Sequence, residues 1–531
     1  MNIGSTSTTK AKGNELMRSG VNEYITLLSH TEIPITNTLY LDYHDVLIEN
    51  IKSTKPQIQE EACDTLRVFN KTYGKLFTND DTVNTKLEAI YTYMIKQSVV
   101  DDNISITKGY TSAIVNFNEA YITKYIDVLA KAIIDNTKLK PKAKNNDYQT
   151  RKCAVDSLGF LICNYILHSQ QHCNSVDKYI DAVIAAFDDY EMDPRMGDVG
   201  SNVRISCITQ IINVLLALHN ESKFDLMNKY AYTAMKRVIK QLAEKMASVR
   251  RIAGNVMQYF FYELKDSSNE TQLHEAIPHY NELKTMFLSD IDFDDNDKVF
   301  NMKWVEPEFA YVKIMPLITY DKYADVFIEG LFRSIACISE DVQKCSLDEL
   351  KKIIDVVDKK TLITKILNVA IDIFTKNQND DRFIEPLECA LGQLLSMNMF
   401  IKNDYIAQGD KIHKCVMKEN KDSTNIHKIL YSVDIFYNML FYEKENTFKV
   451  MYRCMRSLLI LMCHKYPVVR KKASEKMFVF LSSVDEPEVL GVDYDTIEEA
   501  NLVVAETDWT QKVANIRENR NNIAKMLNIQ I

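Results

Sequence analysis

His274-Glu275 and His279 are the first residues along this chain that invite a chemical reading, because two imidazoles beside a glutamate on one helix face hold zinc in a protease. The spacing here is H-E-x-x-x-H and Pro278 interrupts it. Positions five apart stand about 140° from each other around a helix, so these rings do not converge on one metal. Asp290, Asp292 and Asp294 resemble the start of a calcium loop. The sixth position is Asp295 where the turn needs glycine, and the twelfth is Asn301 where a bidentate glutamate belongs. A hydrated acidic loop accounts for the run better. Cys463-His464 pairs a thiol with a base in sequence, but adjacent residues on a helix point about 100° apart and a nucleophile must meet its base side chain to side chain. No P-loop, GxSxG or GxGxxG pattern is present. A non-enzymatic binding protein is the expectation, with no catalytic residue, cofactor or metal ligand assigned.

Arg151, Arg204, Arg250 and Arg470 are different, because each stands near the start of an amphipathic segment. Gly197–Leu218 shows the pattern most fully: a tight Gly-Asp turn, Arg204 in the first helical turn, then Ile205, Ile208, Ile212 and Leu215 at steps of three and four. Such a stripe must be buried against a neighbour. Comparable openings recur at Lys55–Ala62, Tyr148–Ala154, Ala247–Ala253 and Pro467–Ala473, each with a polar or basic residue two or three positions before a small one. This is how the second helix of a HEAT-type hairpin begins. The basic residues admit two readings: a ladder in which each pairs with an acidic group of the next repeat, or a row facing an acidic partner. The first is favoured, because stacking itself requires such pairing.

The elements that carry these residues follow from composition. The 531-residue chain exceeds a single compact core, and its 13 Gly and 10 Pro compare with about 37 and about 27 at average usage. So few turn formers exclude an all-β fold, and the expected class is all-α, a HEAT/armadillo-like α-solenoid of stacked helical hairpins. A net charge of −9 argues against a nucleic-acid binder. The 11 cysteines lack any CxxC pair and read as reduced core thiols. The first residues, MNIGSTSTTKAKGNE, have no apolar core of a signal sequence, and no stretch approaches 18 uninterrupted apolar residues, so membrane insertion and secretion are not expected. A cytoplasmic location follows.

Residues 1–14 read as a disordered N-terminus, 15–288 as a HEAT-like block, 289–300 as an acidic loop, 301–481 as a second helical-repeat block, and 482–531 as a C-terminal helical cap anchored by Trp509, Val513, Ile516, Ile523 and Leu527. A basic loop, KLKPKAKNN, interrupts the first block at Lys138–Asn146.

Read together, several segments resemble the C-terminal half of the tubulin-folding cofactor D family, helical-repeat chaperones of β-tubulin. Thr107-Lys108-Gly109-Tyr110 with Ala113 resembles the family's T-x-G-[FY] helix start, and Arg151–Leu158 its following basic hairpin. Phe187-Asp188-Asp189-Tyr190 leading to Gly197-Asp198-Val199-Gly200 and Val203-Arg204 is the most specific part, although Met196 stands where the family has arginine. Tyr323, Val326, Gly330, Leu331 and Ser334 follow, then Asp381-Arg382 with Pro386-Leu387 and Leu394-Leu395, then Pro467–Lys471. Glu506-Thr507-Asp508-Trp509 with Ile516-Arg517 and Arg520-Asn521 resembles the terminal E-T-x-W…V-R…R-N. The likeness runs from about residue 100 to 527, and the family's N-terminal solenoid half has no counterpart here.

The resemblance implies a chaperone that binds β-tubulin and, with cofactors C and E and an Arf-like small GTPase, assembles or takes apart the αβ-tubulin heterodimer. It also implies stimulated GTP hydrolysis on tubulin within that assembly, and association with microtubules or the centrosome. A curved superhelix gripping a folded partner on its inner surface is the expected mechanism. The candidate partner contacts are Lys138, Lys140, Lys142, Lys144, Asp198, Arg204, Arg470, Asp508, Trp509, Arg517 and Arg520. A HEAT adaptor or transport scaffold unrelated to tubulin is the alternative.

Overall fold

The computed structural model describes residues 8–77, 80–140, 147–169, 176–289, 302–442, 448–485 and 490–531. They form 24 α-helices. In chain order these are α1 (Thr8–Thr31), α2 (Asn37–Ile51), α3 (Pro56–Tyr73), α4 (Asp81–Val100), α5 (Ile104–Ala113), α6 (Glu119–Thr137), α7 (Tyr148–Leu161), α8 (Asp177–Ala185), α9 (Gly200–Asn220), α10 (Phe224–Leu242), α11 (Ala247–Glu263), α12 (Glu270–Ala276) and α13 (Tyr280–Leu288). Then come α14 (Pro307–Ile314), α15 (Ala324–Ile335), α16 (Glu340–Val356), α17 (Lys359–Lys376), α18 (Asp381–Leu395), α19 (Ile406–Asn420), α20 (Ile426–Asn438), α21 (Phe448–Leu461), α22 (Pro467–Ser482), α23 (Tyr494–Glu506) and α24 (Val513–Met526). Each opening singled out in the sequence starts a helix: α3, α7, α9, α11 and α22.

Local chemistry sets where the helices begin. Asp80, Asn103, Asn118, Asp147, Asp358, Asp380, Asn425 and Asp493 are N-caps whose side chains accept from backbone N–H groups two or three residues on, as Asp147 Oδ1 does from Thr150 N at 2.7 Å. Each cap satisfies donors that the first turn leaves without an intrahelical partner. Pro56, Pro307 and Pro467 occupy first-turn positions, where a missing N–H costs nothing. Pro386 lies inside α18 and withholds a donor from the Arg382 carbonyl four residues back, and Arg333 Nη2 donates to that oxygen at 3.1 Å.

The chain divides into two compact units, Met1–Val238 with Ile252–Phe300 and Ile239–Arg251 with Asn301–Ile531. Within the first, α1, α3, α5, α7 and α9 pack in succession as one layer, and α2, α4, α6 and α8 as the other. Within the second, α15, α18, α20 and α22 form one such succession and α17, α19, α21 and α24 another. This is the stacked-hairpin arrangement that the composition predicts, since no hairpin hides its apolar face alone.

Two details depart from the sequence reading. α9 is buried on most of its circumference rather than along one stripe: Ile208, Ile212 and Leu215 are buried, Ile205 only partly, and Val203, Cys207, Ile211, Val214 and Leu218 are buried as well. The cause is packing against both α7 and α8. By length and composition alone this helix is long and apolar enough to cross a membrane, but most of it lies inside the unit. The turn before it is a short antiparallel ribbon, Met192–Asp193 paired with Gly197–Asp198, in which Gly197 has φ of 76°. Residues 1–7 of the N-terminal segment and 290–300 of the acidic loop lie outside the described residues, so Asp290, Asp292 and Asp294 are not placed.

Close stacking leaves no room at some corners. A Cβ on Gly109 of α5 would stand 2.1 Å from the Ile51 carbonyl oxygen and 2.5 Å from Gln59 Nε2. Gly109→Ala is therefore expected to cost about 1–3 kcal/mol through forced displacement of α5 from the end of α2 and from Gln59 of α3. Gly20→Ala in α1, where nothing lies within 4 Å, should be neutral or slightly stabilising. Urea unfolding of the two variants measures the contrast.

Candidate functional site

The residues that could do most in this fold sit at the hairpin corners. A helix leaves its last four carbonyls without intrahelical donors, and a guanidinium placed in the first turn of the next helix carries five donors in a rigid fork. Arg250 uses this geometry in α11: Nη1 donates to Glu244 O at 3.0 Å and Lys245 O at 2.8 Å, six and five residues back, while Nη2 reaches Val305 O at 3.1 Å. Arg470 repeats it in α22. Its Nη1 donates to His464 O at 2.8 Å and Lys465 O at 3.1 Å, again six and five residues back. Nε and Nη2 then tie Trp509 O, Thr510 O and Gln511 O at 2.8, 2.9 and 2.6 Å.

In the first unit the same positions use carboxylates. Arg151 of α7 donates through Nε to Asp189 Oδ2 at 2.6 Å and through Nη2 to Glu191. Burial works against its charge, and the Asp189 and Glu191 carboxylates outweigh that effect and hold its pKa up. Arg204 of α9 turns back to Asp198, with Nη1 and Nη2 at 3.2 and 2.9 Å from its two oxygens. Its Nη1 also donates to Asp189 O at 2.8 Å, and its guanidinium lies 4.1 Å from the Tyr190 ring centroid. Asp189 thus serves two arginines from successive hairpins. Gly200 makes the crossing possible, because a Cβ there would meet Asp189 O at 2.5 Å.

The ladder expected from sequence therefore takes a mixed form. Arg151 reaches acidic groups of the following hairpin, Arg204 pairs within its own, and Arg250 and Arg470 donate to neutral carbonyls. The carbonyls win at those corners because loop backbone, not a side chain, lies under the fork. Two members of the series are not singled out by the sequence reading. Buried Gln59 of α3 donates to Ile51 O and Ser105 O, both at 2.7 Å, and Lys108 of α5 donates to Gln149 Oε1 at 3.1 Å. A signal exists for the first, since Gln59 stands three residues before Ala62 in one of the recurring openings.

The candidate contacts are distributed unevenly. Arg204, Asp198 and Arg470 are buried in these corners, and Trp509 is buried with Nε1 donating to Val504 O at 2.8 Å. Asp508 is exposed and accepts from Thr510 N and Oγ1. Lys138 is exposed beside Asp135 at 2.9 Å and Lys140 is partly exposed, while Lys142 and Lys144 lie outside the described residues. Arg517 is exposed and Arg520 half-buried on α24. His464 Nδ1 accepts from Tyr466 N at 3.3 Å, so that ring nitrogen is turned to the backbone. An apolar groove that sequence reasoning missed lies between α22 and α23, where Phe478, Val479, Val504 and Trp509 line it; exposed Phe478 and Val479 were its sequence signal.

A further buried ionisable group stands in α18. Glu388 accepts from Asn420 Nδ2 at 2.8 and 3.1 Å, and burial pushes its carboxyl well above the usual range, with Asn420 and Lys428 pulling the other way. A folded value above the unfolded one means that the stabilising contribution of the neutral acid is whole below about pH 4.3 and is lost as pH rises through the folded value.

Two outcomes are expected. Arg204→Ala leaves the Asp198 carboxylate buried and unpaired and should cost about 3–5 kcal/mol in urea unfolding. Glu388→Gln keeps the hydrogen bond without the charge, so it should raise stability at pH 8 by about 1–3 kcal/mol and lose that advantage towards pH 4. A pH series of thermal melts reads the second.

Residues 232–428 match the family model described as Tubulin folding cofactor D C terminal. Over 480 residues the chain is 25% identical to Tubulin-specific chaperone D of Dictyostelium discoideum, a match covering 81% of this chain and 31% of that relative. The chain thus spans about a third of the length of the curated relative it matches. Among solved structures, importin beta in an ammonium sulfate condition aligns with a TM-score of 0.30 at 10% identity, covering 98% of this chain and 68% of that one. A chain from a structure of Kap95p binding to RanGDP aligns with a TM-score of 0.35 at 11% identity, covering 98% and 69%. By family model and by sequence, then, the chain is similar to tubulin-specific chaperone D, and its residues 232–428 match the model of the cofactor D C-terminal segment.

Proposed function

We propose that this chain is a tubulin-folding chaperone that works by binding rather than by catalysis. The observation that carries the reading is the match to Tubulin-specific chaperone D over most of the chain, joined to the cofactor D segment at 232–428. The fold suits that work, because stacked hairpins tied at their corners within each unit offer a firm surface on which a folded partner can be held. In this reading the partner is β-tubulin, and cofactors C and E with an Arf-like small GTPase join the chain to assemble or dismantle the αβ heterodimer in the cytoplasm. Stimulation of GTP hydrolysis belongs to the assembly, with tubulin as the site of the chemistry.

Lysines of the Lys138–Lys144 loop supply the encounter step. Clustered basic groups speed capture of an acidic partner through long-range attraction, even in a chain of net charge −9. The test is capture of purified β-tubulin by the wild-type chain and by a variant with Lys138, Lys140, Lys142 and Lys144 changed to Glu. Association at low salt should slow about tenfold, with less difference at high salt. An unchanged rate sinks the steering role, and no capture by the wild type sinks the tubulin reading.

A further inference from the structure

The C-terminal part of the second unit gathers positive charge, against which stands exposed Glu518, between Arg517 and Arg520 on α24. The charged neighbours of the Cys463 thiol are Arg520, Arg517 and Arg470, and those of the His464 ring are Lys465 and Arg470. No carboxylate is among either set. In a chain with 73 acidic and 64 basic residues, a random neighbourhood would more often be acidic.

Several other cations of the same unit are paired: Arg453 with Asp410, Lys472 with Asp434 at 2.5 Å, Lys428 with Asp381 at 2.6 Å. Arg517 and Arg520 make no hydrogen bond or ion pair among the described residues. Arg520 Nε is moreover shut off from water with no acceptor, an orphaned donor on a half-buried guanidinium. Arg470, which also acts on Cys463, has its donors engaged by five neutral carbonyls, so its hydrogen bonds are satisfied while its charge stands.

The frame is firm. α24 packs on α21 and α23 through buried Ile516, Ile523 and Ala524, and Asn519 Nδ2 donates to Thr507 Oγ1 at 2.9 Å. Arg517 and Arg520 are three positions apart and share one flank of this helix, with their Cβ atoms about 5–6 Å apart. The forks are carried on a fixed backbone, and little order has to be imposed when a ligand arrives.

We infer that this face, Arg517 and Arg520 on α24 with the Cys463–Lys465 corner beside them, docks an acidic peptide segment of a partner protein. A peptide fits better than a phosphate group. Phosphate sites gather donors, often backbone N–H groups, around one point in a recess, whereas here two guanidinium groups stand side by side on a helix flank with exposed Lys465 at the neighbouring corner. Alternate side chains of an extended peptide lie about 7 Å apart, within reach of a row of arginines so spaced. One carboxylate to each fork gives charge-assisted, bidentate pairing. The inference stands apart from the tubulin reading, because it specifies the chemistry of the bound segment and not the protein that supplies it.

Fluorescence anisotropy with the full chain tests it, using a labelled glutamate-rich peptide, the same peptide with every Glu replaced by Gln, and inorganic phosphate as competitor. The glutamate peptide should bind and weaken with added salt; the Gln peptide should bind at least about tenfold more weakly. Affinity for the glutamate peptide should fall by a similar factor in R517E/R520E, and less steeply in R517Q/R520Q, which serves if the charge reversal unfolds. Wild-type affinity in a folded variant, equal binding of the Gln peptide, or full displacement by phosphate at equimolar carboxylate would each overturn the assignment. Peptide binding without tubulin capture leaves this inference standing and removes the tubulin reading, and the reverse result does the opposite.

Discussion

A helix that ends at a buried corner leaves carbonyls that its own backbone cannot satisfy, and every hairpin of this protein has to solve that problem before its apolar faces can close. The recurring solution is a polar side chain from the first turn of the following helix. Arg250 and Arg470 cap carbonyls at the same two offsets, 220 residues apart in sequence, and Gln59 reaches back to Ile51 O. Side chains at these openings also extend forward to the next corner, 38 to 41 residues on for Lys108, Arg151 and Arg470, 46 for Gln59 and 55 for Arg250. The repeat length of the array is written in those hydrogen bonds more plainly than in its apolar pattern. Removing such a donor costs twice, in a bare carbonyl and in a lost link to the next hairpin.

The fold was legible because composition and helix openings agree. Few glycines and prolines, and a polar residue just ahead of a small one, placed the starts of α3, α7, α9, α11 and α22. What escaped was whatever depends on neighbours. Ile205 falls on the predicted stripe yet is only partly buried, since α7 and α8 together, and not periodicity alone, decide which sides of α9 are covered. The ribbon at 192–198 has strands of two residues, too short for an alternation to register, and only Gly197 announced the turn. The partners of Arg250 and Arg470 are backbone oxygens, which carry no sequence signature.

The candidate contacts separate along the same line. Asp198, Arg204, Arg470 and Trp509 lie inside the corners, where packing and hydrogen bonding account for them. Lys138, Asp508 and Arg517 are exposed, and only the last stands with a second arginine on its own helix flank. Burial therefore does what motif matching could not: it distinguishes residues that hold the array from residues with surface to offer.

Gly200 and Asp189 draw out a consequence for how such a protein can change over time. The backbone at the start of α9 passes so near Asp189, whose carboxylate holds Arg151 of α7 and whose carbonyl holds Arg204 of α9, that a side chain at Gly200 disturbs both arginine contacts together. Outward-facing positions carry no such constraint, so a descendant chain can exchange its outer charges and acquire a different clientele while the interior knots stay as they are.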